Sequence, residues 1–244
     1  MSELHVFAVE GLPEIEPGTK LGELIAARAE LLDGDVVAIS QKVVSKAEGQ
    51  VRRLSSVLPG TEARKLAAAL GKEPALVELI LEQSAEVLRA ERGVLITETR
   101  HGFICANAGI DTSNLSEPDT VCLLPEDPDA SARRIRAELP PTIGVVITDS
   151  FGRAWRLGQV EVAIGCAGLQ PLDDWRGRSD ANGRKLEATQ IAIADEAAAA
   201  ADLARSKDSR VPAVIVRGLD RFVIPDNGPG AASLRRPRDE DLFR

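Results

Sequence analysis

Short apolar runs alternate with helical patterns along this chain, and together they predict a fold of mixed helix and strand. Apolar residues spaced for one helix face indicate a helix, whereas short continuous apolar runs indicate buried strands. The predicted strands are 5–9, 36–39, 94–99, 145–148 and 213–216, with a further apolar run at 160–168. The predicted helices are 21–32, 61–70, 74–89, 129–139 and 186–204.

The order of these elements is irregular and has no repeating βαβ rhythm. Such an order favours an α+β fold, with mixed or antiparallel sheets and packed helices, over a doubly wound parallel sheet. A length of 244 residues suits one large domain or two small ones. We expect a single domain over 1–244, with a loosely held tail at 227–244 because that segment is rich in Pro, Gly and charges.

The composition excludes several classes of function. Thirty Lys and Arg against 38 Asp and Glu give a net charge of −8, which argues against a nucleic-acid partner. Cys105, Cys122 and Cys166 form no C-x-x-C pair, so neither a disulfide framework nor a zinc knuckle is expected, and a reducing cytoplasm fits best. No signal-peptide pattern and no run of about 18 apolar residues is present, so no membrane partner is expected.

One segment suited to binding phosphate is 40–49, which directly follows the predicted strand 36–39. Lys42 and Lys46 are four residues apart and share one face of a helix, where a polyphosphate would relieve their repulsion. A solvated basic helix face explains the same spacing. Because neither G-x-x-x-x-G-K-[ST] nor G-x-G-x-x-G occurs, a nucleotide site must be built in another way.

Two further segments offer oxygen ligands of the kind that hard divalent cations prefer. Asp111 and Asn114 lie three apart in a run of small residues, although a local Asx-type turn would explain them equally well. The predicted strand 145–148 delivers Asp149 and Ser150 to its end, and an Asp beside a hydroxyl can hold magnesium against a phosphate. A simple polar cap of the strand end is the alternative.

Three weaker candidates complete the set. His101 and Cys105 are four apart, which allows a thiolate nucleophile with a histidine base, although a small buried cysteine is the simpler interpretation. Asp195 and Glu196 are either extra metal ligands or the polar face of the helix 186–204. The turn at 173–177 is interpreted as a loop near a substrate pocket.

Taken together and in this order, the segments resemble the coenzyme F420-0:L-glutamate ligase family. The resemblance extends from about residue 5 to residue 235. The blocks that carry it are Gly11-Leu12-Pro13-Glu14-Ile15, Asp33-Gly34-Asp35, Gln41-Lys42-Val43-Val44-Ser45-Lys46-Ala47-Glu48-Gly49, Glu98-Thr99-Arg100-His101-Gly102-Phe103, Ala106-Asn107-Ala108-Gly109-Ile110-Asp111, Thr148-Asp149-Ser150-Phe151-Gly152-Arg153 and Arg217-Gly218-Leu219.

The resemblance implies an enzyme that uses GTP to join L-glutamate to a deazaflavin coenzyme precursor through an acyl phosphate, forming an amide and then γ-glutamyl bonds. It also implies an α+β fold in an intertwined homodimer, with two intertwined subdomains left open. Two divalent cations, Mg²⁺ or Mn²⁺, are implied, and a monovalent cation is left open. A metal-dependent nucleotide phosphohydrolase and a non-catalytic deazaflavin-binding protein remain as rival interpretations.

The family's functional residues carry over by motif match. The residues that would contact the nucleotide are Gly11, Leu12, Pro13, Glu14, Ser40, Gln41, Lys46 and Asn114. Asp111 and Asp149 would hold one metal ion and Ser150 the second, and Asp111, Asp149 and Lys46 would be catalytic. The segment 205–210 aligns with another nucleotide-side loop but lacks the glycine expected in its middle, so that contact is not carried over. The ending 240–244 resembles the junction to a reductase domain that some relatives carry.

Overall fold

A computed structural model describes residues 3–113, 115, 117–205 and 209–242, and its architecture confirms the α+β class. The strands are β1 His5–Ala8, β2 Val36–Ser40, β3 Val51–Arg53, β4 Ser84–Glu91, β5 Val94–Thr99, β6 Ile104–Ala106, β7 Thr120–Cys122, β8 Gly144–Arg153, β9 Arg156–Ala167, β10 Asp173–Asp174, β11 Gln190–Ile191 and β12 Ala213–Arg217. The helices are α1 Leu21–Ala26, α2 Gln41–Ala47, α3 Thr61–Leu70, α4 Pro74–Glu82, α5 Pro128–Ala137 and α6 Ile193–Leu203. In the described ranges, no helix has the length and apolar character needed to cross a membrane.

The largest sheet has five strands in the order β1-β12-β2-β8-β9. Only the β2–β8 pair is parallel; it runs from Val36 opposite Gly144 to Ser40 opposite Thr148. The other pairs in this sheet are antiparallel. The carboxyl ends of β2 and β8 therefore meet at the same edge of a mixed sheet.

Both faces of this sheet are covered, which explains why its central strands are continuously apolar. Val37 and Ile39 point into a cluster with residues of α1 and α5. Val36 and Ala38, one position out of phase, point into a second cluster with the small side chains of α6. The alternation of side chains along β2 thus fixes one helical layer on each side.

A second structural region supplies the other side of the molecule. It contains the antiparallel sheet β4-β5-β6, the β3–β7 pair and the helices α3 and α4. These elements share an apolar cluster that includes Ala63, Ile80, Leu95 and Val121. Because this cluster excludes the residues of the five-strand sheet, the region packs around a core of its own.

The predicted helix 74–89 is wrong in its second half. Helix α4 ends at Glu82, and the chain then forms β4, which pairs antiparallel with β5. Residues on β4 are only partly buried, so their apolar positions fit a helix face and a strand face about equally well. The pairing partner in β5 decides between the two.

Two other helices are shorter than their patterns predict. Helix α1 ends at Ala26, and Leu31 reaches the core from a turn in which the carboxylate of Asp35 accepts the amide of Leu32, at 2.8 Å. Helix α6 begins only at Ile193 because the preceding residues form β11. Leu31 therefore meets the core without helical backbone, whereas residues 187–190 are exposed and bury no helix face.

The start of the tail is held more firmly than expected. One carboxylate, that of Asp129 in α5, accepts the amides of Ala231 and Ala232 at 2.7 and 3.0 Å and that of Cys166 in β9 at 2.9 Å. Ala231 is buried. The expectation of a loosely held tail therefore does not hold for 227–234, since this stretch closes one side of the five-strand sheet.

We expect Asp129→Ala to lower the free energy of unfolding by about 2–4 kcal/mol, because three amide donors lose a charged acceptor. Urea unfolding at neutral pH measures the change. Asp226→Ala is the matched control, since this exposed carboxylate accepts only the amide of Gly228 in the described contacts, and it should cost less than about 1 kcal/mol. Equal losses of unfolding free energy for the two variants would contradict the role of Asp129 in holding these three amides.

Candidate active site

The candidate site lies where β2 and β8 end their pairing. Ser40 closes β2 opposite Thr148, and α2 begins at the next residue. Strand β8 does not end at Asp149, as the sequence predicted; it continues to Arg153 and pairs with β9 in a long hairpin. Asp149 and Ser150 therefore stand where the five-strand sheet narrows to two strands, so one edge of β8 no longer has a strand partner.

An irregularity in the β8–β9 pairing sets which side chains face this edge. The register shifts between Ile147 and Thr148, and Ser150 then lies opposite Glu161. The carboxylate of Asp195, at the start of α6, accepts the amide of Ala163 at 2.8 Å within this irregular stretch. Bulges of this kind commonly redirect side chains beside active sites. Asp195 thus supports the backbone here, and its contacts do not point to the metal-ligand alternative.

Lys42 links α2 to the second structural region. Its Nζ lies 2.8 Å from Oδ2 of Asp111 and donates to Oγ of Ser113 at 2.9 Å. Asp111 is placed by a backbone bridge to Cys122, and its Oδ1 accepts the Ser113 amide at 2.7 Å. Burial alone would raise the pKa of Asp111, but the hydrogen bonds from Lys42 and Ser113 hold that pKa below its ordinary value.

Lys46 makes a separate ion pair with Glu14, which attaches the segment 11–14 to α2. In the described contacts, the two lysines therefore pair with different carboxylates. Both lysine side chains are largely buried, so the solvated basic face considered for this helix is wrong. Glu14 is 67% exposed, so its pair with Lys46 is open to exchange with a stronger anion.

Of the remaining nucleotide-contact candidates, Ser40 and Gln41 lie at the start of α2, and the segment 11–14 is tied to its last turn through Lys46. Ser40 is anchored through its amide to the carbonyl of Pro212, at 2.8 Å. Gln41 is buried and accepts a hydrogen bond from Ser45, at 3.0 Å. Gly11, Leu12 and Pro13 precede Glu14 in the segment that Lys46 fixes. Asn114 lies outside the described residues.

A buried charge pair, Glu161 with Arg205, lies next to Ser150, and the sequence patterns do not predict it. Ser150 Oγ donates to Oε1 of Glu161, and Nη2 of Arg205 donates to Oε2 of Glu161 at 2.9 Å and to Oγ1 of Thr148 at 2.7 Å. The side chains of Arg205 and Glu161 are only 8% and 7% exposed. A single acidic residue at the start of the apolar run 160–168 was the signal available in the sequence.

Asp149 is a carboxyl group whose ionised form this site disfavours. Burial raises the pKa of Asp149 to about 8, and repulsion from Glu161 and Asp111 acts in the same direction. The nearby cation of Lys42 and the amide of Ser150 oppose this shift without cancelling it. A proton on Asp149 is thus the means by which these interacting carboxylates relieve their repulsion when no cation is bound.

The donor set fits a hard divalent cation that is completed by ligand oxygens. No group of three or more His, Cys, Asp or Glu side chains in the described ranges is already arranged as a metal site. Mg²⁺ is usually held by one or two carboxylates together with substrate phosphates, and a complete protein cage is uncommon. Asp111, Asp149 and the hydroxyl of Ser150 supply oxygen donors of that kind.

The Cys–His nucleophile is not supported by the structure. Burial, reinforced by the charge of Asp149, raises the pKa of Cys105 to about 12. His101 Nε2 lies 3.0 and 3.1 Å from the carbonyl oxygens of Pro125 and Glu126, and burial lowers the pKa of its imidazole. Cys105 is therefore a protonated core residue, and His101 contacts a backbone turn.

The turn at 173–177 is stabilised by contacts within itself. The indole of Trp175 donates to Asp173 at 2.7 Å, and Arg176 is bound to Asp174. None of the described contacts of these residues involves the site at the end of β2 and β8. Their placement near a substrate pocket stays a prediction.

The side chains that meet at this edge are buried carboxylates, a hydroxyl and two paired lysines, and the nearby thiol of Cys105 is protonated. Such a polar, charged site is of the kind found in ligases. Residues 11–218 match the family model described as F420-0:gamma-glutamyl ligase. The chain is 43% identical to the coenzyme F420:L-glutamate ligase of Methanothermobacter thermautotrophicus, over 99% of both chains, and 44% identical to that of Methanopyrus kandleri, over 100% of both. The corresponding ligase of Archaeoglobus fulgidus is 42% identical over 99% of this chain and 96% of its own. The chain belongs to the F420-0:gamma-glutamyl ligase family, which confirms the resemblance found in the sequence.

We expect Cys105, Cys122 and Cys166 to resist modification in the folded protein, because all three are buried and burial raises their pKa values to about 12, 11 and 12. Reaction with a chromogenic disulfide reagent at pH 8 should release three equivalents in denaturant and almost none beforehand. One fast-reacting thiol in the native protein would contradict this assignment and restore the case for a nucleophilic cysteine.

Proposed function

We propose that this chain uses GTP to ligate L-glutamate to F420-0, the deazaflavin coenzyme precursor. Membership of the F420-0:gamma-glutamyl ligase family supports the reaction, as do the relatives, which are coenzyme F420:L-glutamate ligases. The observation that carries the finer assignment is the charge cluster at the end of β2 and β8. There, Asp149 is repelled by two other carboxylates beside the cation of Lys42.

The chemistry requires an activated carboxyl group, because a carboxylate is a poor electrophile. An oxygen of the precursor's carboxylate attacks the γ-phosphorus of GTP, the bond to GDP breaks, and an acyl phosphate forms. The amine nitrogen of glutamate then attacks the acyl carbon, phosphate leaves, and the amide forms with release of a proton. Phosphoryl transfer of this kind depends on positioning and charge neutralisation more than on covalent help from the protein.

Asp111 and Asp149 would hold one divalent cation, Mg²⁺ or Mn²⁺, and the oxygen of Ser150 would join a second. When bound, these cations neutralise phosphate charge and favour departure of GDP. Lys46 would neutralise a phosphate by exchanging its exposed partner Glu14 for the nucleotide. Gly11, Leu12, Pro13, Glu14, Ser40, Gln41 and Asn114 complete the proposed nucleotide contacts.

We also propose that the chain acts as a homodimer, as its resemblance to the family implies. The tip of the β8–β9 hairpin presents Trp155 and Leu157 with 81% and 96% of their surface exposed. Large exposed apolar side chains that lie close together commonly mark an interface. A second copy of the chain would cover them.

Mass spectrometry of the reaction product tests the proposed function. With GTP, Mn²⁺, L-glutamate and F420-0, we expect the mass of F420-0 to rise by one glutamyl residue for each GDP formed. Phosphate release that needs neither glutamate nor F420-0 would indicate a phosphohydrolase, and chromophore binding without GTP turnover would indicate a binding protein. Light scattering on the same preparation is expected to give twice the mass of one chain.

We expect Asp149→Asn to reduce kcat at least about 1000-fold, since losing one carboxylate from the cation site removes several kcal/mol of charge stabilisation. Lys46→Ala should instead raise KM for GTP by about 10–100-fold, the worth of one charged hydrogen bond. Asp226→Asn, at an exposed carboxylate that accepts only the amide of Gly228 in the described contacts, is the control with near-normal rates. Normal turnover by the Asp149 variant would remove the metal assignment.

A further inference from the structure

Glu161 is a charged residue in a place where a charge is costly. It follows Val160 in β9, lies opposite Ser150 in β8, and is 5% exposed. Removing a carboxylate from water costs several kcal/mol unless a cation and hydrogen bonds compensate for it. Its partners therefore indicate what this buried charge does for the site.

Both oxygens of Glu161 are bound by protein donors. Oε1 accepts the hydroxyl of Ser150, and Oε2 accepts Nη2 of Arg205 at 2.9 Å. The same nitrogen of Arg205 donates to the hydroxyl oxygen of Thr148 at 2.7 Å, and its Nη1 reaches the carbonyl of Pro212 at 3.4 Å. Arg205 thus fixes the orientation of Glu161 and balances its charge.

The direction of the hydrogen bond from Ser150 has a chemical consequence. A hydroxyl has one proton to donate and two lone pairs. Because the carboxylate of Glu161 takes that proton, the lone pairs of Ser150 Oγ are directed away from Glu161. Ser150 Oγ is thus held next to Asp149 with its lone pairs, and not its proton, available to a divalent cation.

We propose that Glu161 and Arg205 are positioning residues that hold the Ser150 hydroxyl as an oxygen ligand for a cation of the reaction. This inference rests on the proposed function, and it adds two residues that the motif match does not supply. Outer partners of metal ligands typically affect metal affinity by about 10–100-fold. Glu161 acts through Ser150 and is not itself a ligand.

Glu161→Gln is the sharpest variant because it keeps the volume and removes one acceptor. Arg205 can only donate, so the carbonyl of Gln at this position would face Arg205 and its amide group would face Ser150. That amide group would then donate to a lone pair of Ser150. We expect the Mn²⁺ concentration for half-maximal binding, measured by electron paramagnetic resonance with GTP present, to rise by about 10–100-fold.

A double-mutant cycle separates positioning from direct ligation. Ser150→Ala should weaken Mn²⁺ binding by a similar factor, and adding Glu161→Gln to it should cause no further loss. If the fold-losses of Mn²⁺ affinity in the two single variants multiplied in the double variant, Glu161 would bind the cation itself. That result would overturn the proposal. Arg205→Lys, which keeps the charge but loses the second guanidinium nitrogen that reaches the carbonyl of Pro212, should give an intermediate loss.

Asp35→Asn provides the matched control for a purely structural charge pair. Asp35 is fully buried, and its two oxygens accept from Arg217 at 2.8 Å each, outside the candidate site. This variant should lower the melting temperature and leave Mn²⁺ binding unchanged. If Glu161→Gln behaved in the same way, the positioning role would be refuted. Mn²⁺ binding is measured without forming any reaction product. If the wild-type chain failed to join glutamate to F420-0, that result would therefore refute the proposed function separately from the positioning role.

Discussion

The buried negative charge at the end of β2 and β8 is the constraint on which the site depends. Asp111, Asp149 and Glu161 interact electrostatically, while Lys42 binds the first and Arg205 binds the third. Asp149 is left with the smallest compensation, and its raised pKa follows from that position. A protein that merely needed stability would gain by replacing such a group with an apolar one. The energetic cost of burying Asp149 is understandable if a bound cation takes the place of the proton on its carboxyl group.

The fold assembles this charge from distant parts of the chain. The five-strand sheet, covered on both faces, provides a rigid edge where Ser40 and Thr148 lie side by side. The second structural region contributes Asp111 through its bridge to Cys122, and Lys42 joins the two parts. Arg205 follows α6 directly and reaches across to β9. Helix α2 therefore holds Lys42, the β8–β9 hairpin holds Asp149 and Glu161, and the second structural region holds Asp111.

The sequence predicted the central sheet well because its strands are buried on both faces and read as unbroken apolar runs. It predicted poorly where an element is half exposed, as in β4, whose pattern suits either kind of backbone until β5 is known to be its partner. The order of motifs identified the family because several long blocks recur together. The roles of Glu161 and Arg205 could not be predicted, since they depend on the cross-strand register and on a contact between residues 44 positions apart.

The most direct measurement of the central claim is anomalous scattering from crystals grown with Mn²⁺ and GTP. We expect a manganese peak in contact with the carboxylates of Asp111 and Asp149, with a second peak beside Ser150 Oγ. Lys42 would then have released Asp111. Nucleotide bound elsewhere, with Asp111 still paired to Lys42 and no ion at Asp149, would contradict the claim.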